Sequence, residues 1–270
     1  MSPKFGFAIR FLSMSPGDEV FKAVAASRRL DTLELCPEIF DQDQKGTNKA
    51  SLKKRLKEGG LRAETFHARF GAESDFSALD KAAWLKAIKN AEDAIEMAVE
   101  FGASIMVVHA SSEPIPAETR AKRIEQSRKA LDHLAGRCTK LRIKVAVEFL
   151  PRTCLGNSVE ELLELAGNHH NHVLGVCLDV NHLMSRYAEL PDYVRRLGSR
   201  LHSLHLSDCD KTDEKHWFPG KGVIDWKALM AALREVNFNG PMTYECVPDG
   251  NTLEEKVQSL DKNIAWLSSL

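Results

Sequence analysis

Six side chains able to bind a divalent cation or carry a proton recur at one kind of place in this sequence. His67, His109, Glu148, Asp179, His205 and Glu245 each stand at or near the C-terminal end of a short apolar run: AETFH, SIMVVH, KVAVEF, LGVCLD, LHSLHL and MTYEC. One polar residue in such a place often marks only where the chain emerges into solvent. Six in succession, brought to a common mouth, would be a site. Glu148, Asp179, His205 and Glu245 supply three carboxylates and one imidazole, a set suited to one divalent cation, Mn, Mg, Co or Zn. Carboxylates converging on a cavity repel one another and are costly to bury. A divalent cation resolves that directly. A second spacing repeats: Asp179 is followed three residues later by His182, and His205 by Asp208. With the first of each pair at a strand end, the second lies in the loop above. There it can reach a substrate, a second metal or the ligand itself.

Positioning these residues falls to an alternation of strands and helices. Strands are expected at 5–11, 32–36, 63–67, 104–109, 144–149, 174–179, 201–206 and 242–246. Several are nearly continuous apolar runs, as in sheets covered by helices. Between them lie GDEVFKAVAAS, KASLKKRLKEG, an amphipathic stretch from Leu79 to Phe101, and AETRAKRIEQSRKALDHLAGRC after Pro116. Ser158 and Glu161 read as a capping box. Shorter helices are expected from Leu190 to Leu197 and from Asp225, and Leu253 to Leu267 is the last. Eight strands alternating with helices predict an α/β fold, a (β/α)8 TIM barrel, as a single domain over 1–270. A doubly wound sheet is the alternative. No GxGxxG follows the first strand, and PGKG at 219–222 lacks the P-loop pattern. In a barrel the C-terminal strand ends converge on one mouth, where sites are built.

Composition narrows the classes. Lys and Arg total 37 against 38 Asp and Glu, a net charge of -1 in 270 residues. That balance argues against a nucleic-acid partner, since no global field attracts one. KKRLK at 53–57 reads as a solvated helix face. No apolar run reaches membrane-spanning length, and MSPKFGFAIRFLSM lacks the features of a signal peptide, so no membrane association and a cytoplasmic location are expected. None of the six Cys forms a CxxC pair. Cys36, Cys177 and Cys246 fall in strands and read as small buried hydrophobes.

The set VEF, CLDVNH, HLSD, PGKGVIDW and YE resembles the xylose isomerase-like TIM-barrel superfamily of sugar and sugar-phosphate isomerases and epimerases, which also includes an apurinic-site endonuclease. The resemblance runs over essentially the whole chain and is strongest from Glu148 to Glu245. It implies Glu148, Asp179, His205 and Glu245 as metal ligands, with Glu148 and Glu245 also moving protons through an enediolate. It implies a small sugar or sugar phosphate as partner, His182 against substrate oxygens, and a homo-oligomer, dimer or tetramer. His67 and His109 match positions that hold additional zinc in the endonuclease branch. Glu214 and His216 fall near that branch's Asp-x-His pair, here Glu-x-His. Two to three Zn and a multi-zinc phosphodiester hydrolase are therefore the alternative. A barrel that only binds a sugar is a third. The sequence departs from ketose epimerases in two places. FLPR follows Glu148 where they carry Pro-x-Asn-Arg, and Lys211, Lys215 and Lys221 stand where an arginine is usual. Lysine does not replace a bidentate arginine.

Further substrate contacts are expected from Asp208, Arg152, Lys211 and Trp217, with Phe218 beside the last as a shield from water. GNHHNHV at 167–173 looks metal-like but precedes the sixth strand, which places it at the opposite end of a barrel. His202 lies three residues before His205 and is expected to pack within the barrel wall or core. His133, Trp84, Trp226 and Trp266 read as ordinary helix residues.

Overall fold

The computed structural model describes residues 4–41 and 49–270. Eight parallel strands follow one another round a closed barrel: β1 (Lys4–Ala8), β2 (Thr32–Leu35), β3 (Ala63–His67), β4 (Ile105–Val108), β5 (Lys144–Glu148), β6 (Leu174–Asp179), β7 (Leu201–Leu206) and β8 (Pro241–Tyr244). β1 pairs with β8 and shuts the barrel, which settles the choice against an open doubly wound sheet. Every residue of β6 and β7 is buried. One face of such a strand fills the barrel and the other meets helices, so the apolar runs need not alternate.

The helices are α1 (Asp18–Ala25), α2 (Glu38–Asp41), α3 (Lys49–Glu58), α4 (Lys81–Phe101), α5 (Arg120–Leu141), α6 (Val159–Ala166), α7 (Leu190–Leu197), α8 (Trp226–Glu235) and α9 (Leu253–Ser269). α4 shows why they start and stop where they do. The Asp80 carboxylate caps its first turn by accepting from the Ala83 N–H, and Gly102 ends it in the left-handed region at φ 76°. Its buried stripe, Ala87, Ile88, Ala91, Ala94, Ile95 and Ala98, follows the helical period.

Two local expectations are corrected. β1 ends at Ala8, and Ile9–Phe11 form a 3-10 turn rather than more strand. That turn puts Arg10 at the mouth of the barrel. The box at Ser158 is only half formed: its hydroxyl accepts from the Glu161 N–H, but the Glu161 carboxylate is drawn to Arg120 and the Gly156 N–H. The reciprocal box occurs instead at Thr252 and Glu255, opening α9.

Candidate metal centre

Closing the barrel brings together four residues that are far apart in the chain. Glu148 ends β5, Asp179 ends β6 and pairs in register with His205 of β7, and Glu245 follows β8. One donor atom from each lies within 4.8 Å of the others. His205 Nδ1 is 3.3 Å from Glu245 Oε2, 3.4 Å from Glu148 Oε1 and 3.9 Å from Asp179 Oδ2. All four residues are buried, yet Asp179 Oδ2 and His205 Nδ1 have no hydrogen-bond partner. Buried polar atoms are rarely left so. Two orphaned donor atoms facing two more carboxylates are what a divalent cation would satisfy.

The surrounding histidines point the same way. His67 Nδ1 donates to the Ala68 carbonyl at 2.7 Å, His182 Nδ1 to the Phe149 carbonyl at 2.8 Å, and His216 Nδ1 to the Glu245 carbonyl at 2.9 Å. His205 Nε2 donates to Glu34 Oε2 at 3.2 Å. Each bond fixes the proton on one ring nitrogen and leaves the other to present a lone pair. Those lone pairs meet carboxylates: His67 Nε2 lies 3.0 Å from Glu148 Oε2, and His182 Nε2 2.9 Å from Glu214 Oε2. Lone pair against carboxylate is repulsive unless a proton or a cation stands between them. Anchoring one nitrogen to a carbonyl or carboxylate is also how metal-binding histidines are oriented. Three further donor groups result: His67 with His109 and Glu148, His67 with His205 and Glu245, and His182 with Glu214 and His216. The described residues therefore contain several clusters able to coordinate divalent cations. Glu148 belongs to two of them, through different oxygens.

A family description, the xylose isomerase-like TIM barrel, matches residues 22–270. The chain belongs to that family. Among curated relatives, the inosose isomerase of Bacillus subtilis is 27% identical over 130 residues, 44% of this chain and 47% of that protein. The chain spans roughly two fifths to less than two thirds of the length of the curated relatives it matches first. Among solved structures, a D-psicose 3-epimerase from Clostridium cellulolyticum H10 with D-tagatose superposes with a TM-score of 0.78 at 20% identity, covering 98% of this chain and 96% of that one. The IOLI protein with a binding zinc atom superposes at 0.79 and 18% identity, covering 100% and 98%. At that identity both show the family's fold alone.

Within this family member, burial and charge compete at the buried carboxylates Glu148, Asp179 and Glu245 and at their neighbours. Burial holds the Asp179 carboxyl above its ordinary range and the His109 imidazole below its own. Burial also pushes Glu148 up, but the charges of His109 and His205 outweigh it and leave Glu148 well below the usual range. At Glu245 burial is outweighed by Arg10 and His205, which bring the carboxyl down to about 2. Burial disfavours the His182 imidazolium, but Asp179 and Glu214 raise it to about 10. Glu214 in turn falls to about 2, chiefly through its hydrogen bond with His182. Without a metal these groups share protons. A cation would take the protons' place.

Other expected site residues divide. His109, His182, His216 and Arg152 line one cavity of about 500 Å³ with Glu148 and Glu245. Cavities of similar size lie elsewhere on the molecule, so chemistry rather than volume marks this one. Arg152 is committed to three carboxylates, Glu113, Asp213 and Glu214. Asp208 does not face a substrate. Its buried carboxylate accepts from the backbone of Cys209, Gly220 and Ile224 and from Trp226 Nε1, so it builds the loop that carries PGKG. Gly222 is glycine because a Cβ there would meet Asp208 Oδ1 at 2.3 Å. Lys211 and Trp217 stand off the cavity, on the same loop, and Trp217 is exposed. Phe218 turns inward and packs on Tyr244 rather than shielding the site.

Two residues of the centre carried no signal in the sequence reading. Glu34 is a charged residue inside the apolar run TLELC, and it proves to orient His205. Its isolation among apolar neighbours could have flagged it. Arg10 stood in FGFAIRF, where an extended strand would have left its direction open. The 3-10 turn aims it at Glu245, with Nη2 2.6 Å from Oε1.

Proposed function

We propose that this protein is a divalent-metal-dependent sugar or sugar-phosphate isomerase or epimerase, with Glu148, Asp179, His205 and Glu245 as the ligands. The observation that carries this reading is the buried quartet with its two unpartnered donor atoms. A divalent cation held there would act as a Lewis acid on adjacent sugar oxygens and stabilise negative charge as a C–H proton leaves. The chain's own groups do the rest. Glu148 or Glu245 removes the proton beside the carbonyl, giving an enediolate, and the other, protonated beforehand, delivers its own proton to the opposite face; exchange with solvent then resets the pair. Return by the same base to the neighbouring carbon, with the hydroxyl proton passing to the former carbonyl oxygen, gives isomerisation instead. His182, with Nε2 turned to the cavity wall beside Glu214, orients a substrate oxygen. The inosose isomerase and D-psicose 3-epimerase relatives support sugar chemistry at such a centre, and the zinc of the IOLI protein supports a divalent metal.

Proton exchange is the direct test. Ketoses, inososes and their phosphates are incubated in D2O with protein purified without chelator, and C–H exchange is followed by NMR. Exchange is expected with at least one of them. It is expected to fall by about 10³ or more in Glu148→Gln and Glu245→Gln, the range for loss of a positioned acid or base. Exchange undiminished after removal of the metal would refute the reading.

A multi-zinc phosphodiester hydrolase is the second reading. One observation favours it: the three additional donor groups, two of them sharing residues with the quartet. Elemental analysis separates the two. One ion per chain favours isomerisation, whereas three zinc ions with cleavage of bis(p-nitrophenyl) phosphate favour the hydrolase.

A further inference from the structure

We infer that Arg10 reads charge on the substrate, holding the carboxylate or phosphate of an acidic sugar derivative. This rests on the sugar reading above and narrows its substrate class. Arg10 follows β1 on the 3-10 turn, and its side chain lines the same cavity as Glu148, His182 and Glu245. Only 17% of that side chain is exposed. The guanidinium lies near two aromatic rings, 5.4 Å from the centroid of Phe11 and 5.6 Å from that of Phe70. Such contacts hold the plane of the group.

One nitrogen, Nη2, is spent on Glu245 Oε1. Among the described residues no other polar group bonds to Arg10. A guanidinium carries five N–H donors, and the unpaired nitrogens of Arg10 are not sealed from solvent, so they stay accessible to a ligand entering the cavity. The other two cations expected to meet a charged substrate do not compete for the task. Arg152 is surrounded by three carboxylates, and Lys211 stands off the cavity. Arg10 is therefore the cavity arginine with donors to spare. Its planar fork suits the paired oxygens of a carboxylate or phosphate, and such charge-assisted bonds are about twice as strong as bonds to neutral hydroxyls.

The test uses calorimetric titration of the Mn-loaded full chain with three probes of similar size: D-gluconate, D-glucose 6-phosphate and the neutral polyol D-glucitol. The wild type is expected to bind at least one acidic probe about tenfold or more tighter than glucitol. R10Q is expected to bring that probe to within about threefold of glucitol, with metal content unchanged. R10K, which keeps the charge but not the fork, should fall between. Dependence on Arg10 with gluconate alone identifies a carboxylate, and with the 6-phosphate alone a phosphate. The inference fails if the wild type shows no preference, if the preference survives R10Q, or if R10Q loses its metal, since Arg10 would then serve only Glu245. Absence of binding by all three probes overturns this inference where ketoses or inososes still undergo C–H exchange, and removes the sugar reading as well where none of them does.

Discussion

The two ends of the barrel both hold histidines, and only one end gathers them against carboxylates. At the C-terminal mouth His67, His182 and His205 face carboxylates, and all three imidazoles are raised above their ordinary pKa despite burial. At the N-terminal end His202 is also buried, but burial together with Lys144 and Arg200 pushes it down to about 4. Its Nε2 donates to the Asn171 carbonyl. The run GNHHNHV, richer in histidine than any strand end, lies beside it. His169 pairs with Asp132, and His170 stacks on His172. No donor group able to hold a metal forms there among the described residues. Histidine density therefore says little. Strand direction decides, because parallel strands deliver their last residues to one place and the carboxylates arrive with them.

The sharpest way to break this comparison is to remove a proposed ligand at one end and the histidines at the other. Asp179→Ala is expected to weaken metal binding by a factor of at least about 100 and to lower C–H exchange by about 10³. The triple variant His169→Ala, His170→Ala, His172→Ala should keep metal content and exchange within about twofold, since none of the three belongs to a donor group. Equal losses in both proteins, read by elemental analysis and NMR, would erase the distinction.

A second test is acid stability. His202 is neutral when folded, with a pKa near 4, and ordinary when unfolded. The unfolded chain therefore binds the extra proton first, and stability present above about pH 6.5 is lost as pH falls towards 4. Between pH 7.5 and 5 this one residue should cost about 2 kcal/mol. Urea unfolding of His202→Gln should show a pH dependence shallower by that amount. A mouth histidine, with its pKa raised, would show the opposite sign.

Glu34 gives a smaller effect. Glu34→Leu removes the acceptor that holds the His205 Nε2 proton, and metal affinity should fall about 10- to 100-fold. Glu34→Gln keeps an acceptor oxygen and should recover most of it. Competition with a chelator of known affinity measures both, and identical losses would mean that charge rather than orientation is what Glu34 contributes. Smallest of all is the Lys4–Glu64 pair at the N-terminal end, 2.8 Å long with the lysine 44% exposed. Lys4→Met should change stability by less than about 1 kcal/mol, as thermal unfolding would report. A larger loss would mean that this end carries more of the fold's stability than its exposed ion pair can account for.

Much of the candidate site was legible because strand ends are legible. Glu148, Asp179 and His205 each close an apolar run of strand length, and periodicity places them without knowledge of contacts. Arg10 and Glu34 were not legible, for different reasons. Arg10 depends on where β1 stops, and Ile9–Phe11 differ too little from strand residues for composition to reveal a turn. Glu34 depends on what lies across the barrel: its partner His205 is 171 residues away. Asp208 illustrates the reverse error. The spacing it shares with His182 suggested a common task, yet its carboxylate is consumed by the N–H groups of its own loop.

The amino-acid sequence by itself determined the alternation of strands and helices, the barrel, and the residues that could serve as metal ligands. Those follow from local chemistry, namely apolar runs of strand length, helical periodicity and ionisable groups at their ends. Only the tertiary structure decided which nitrogen of each histidine faces the carboxylates, which oxygens remain unpartnered, and which arginine of the cavity makes a single bond. Those are properties of directions in space. A hydrogen bond takes its meaning from the partner it meets, and here most of the partners are brought together by closure of the barrel.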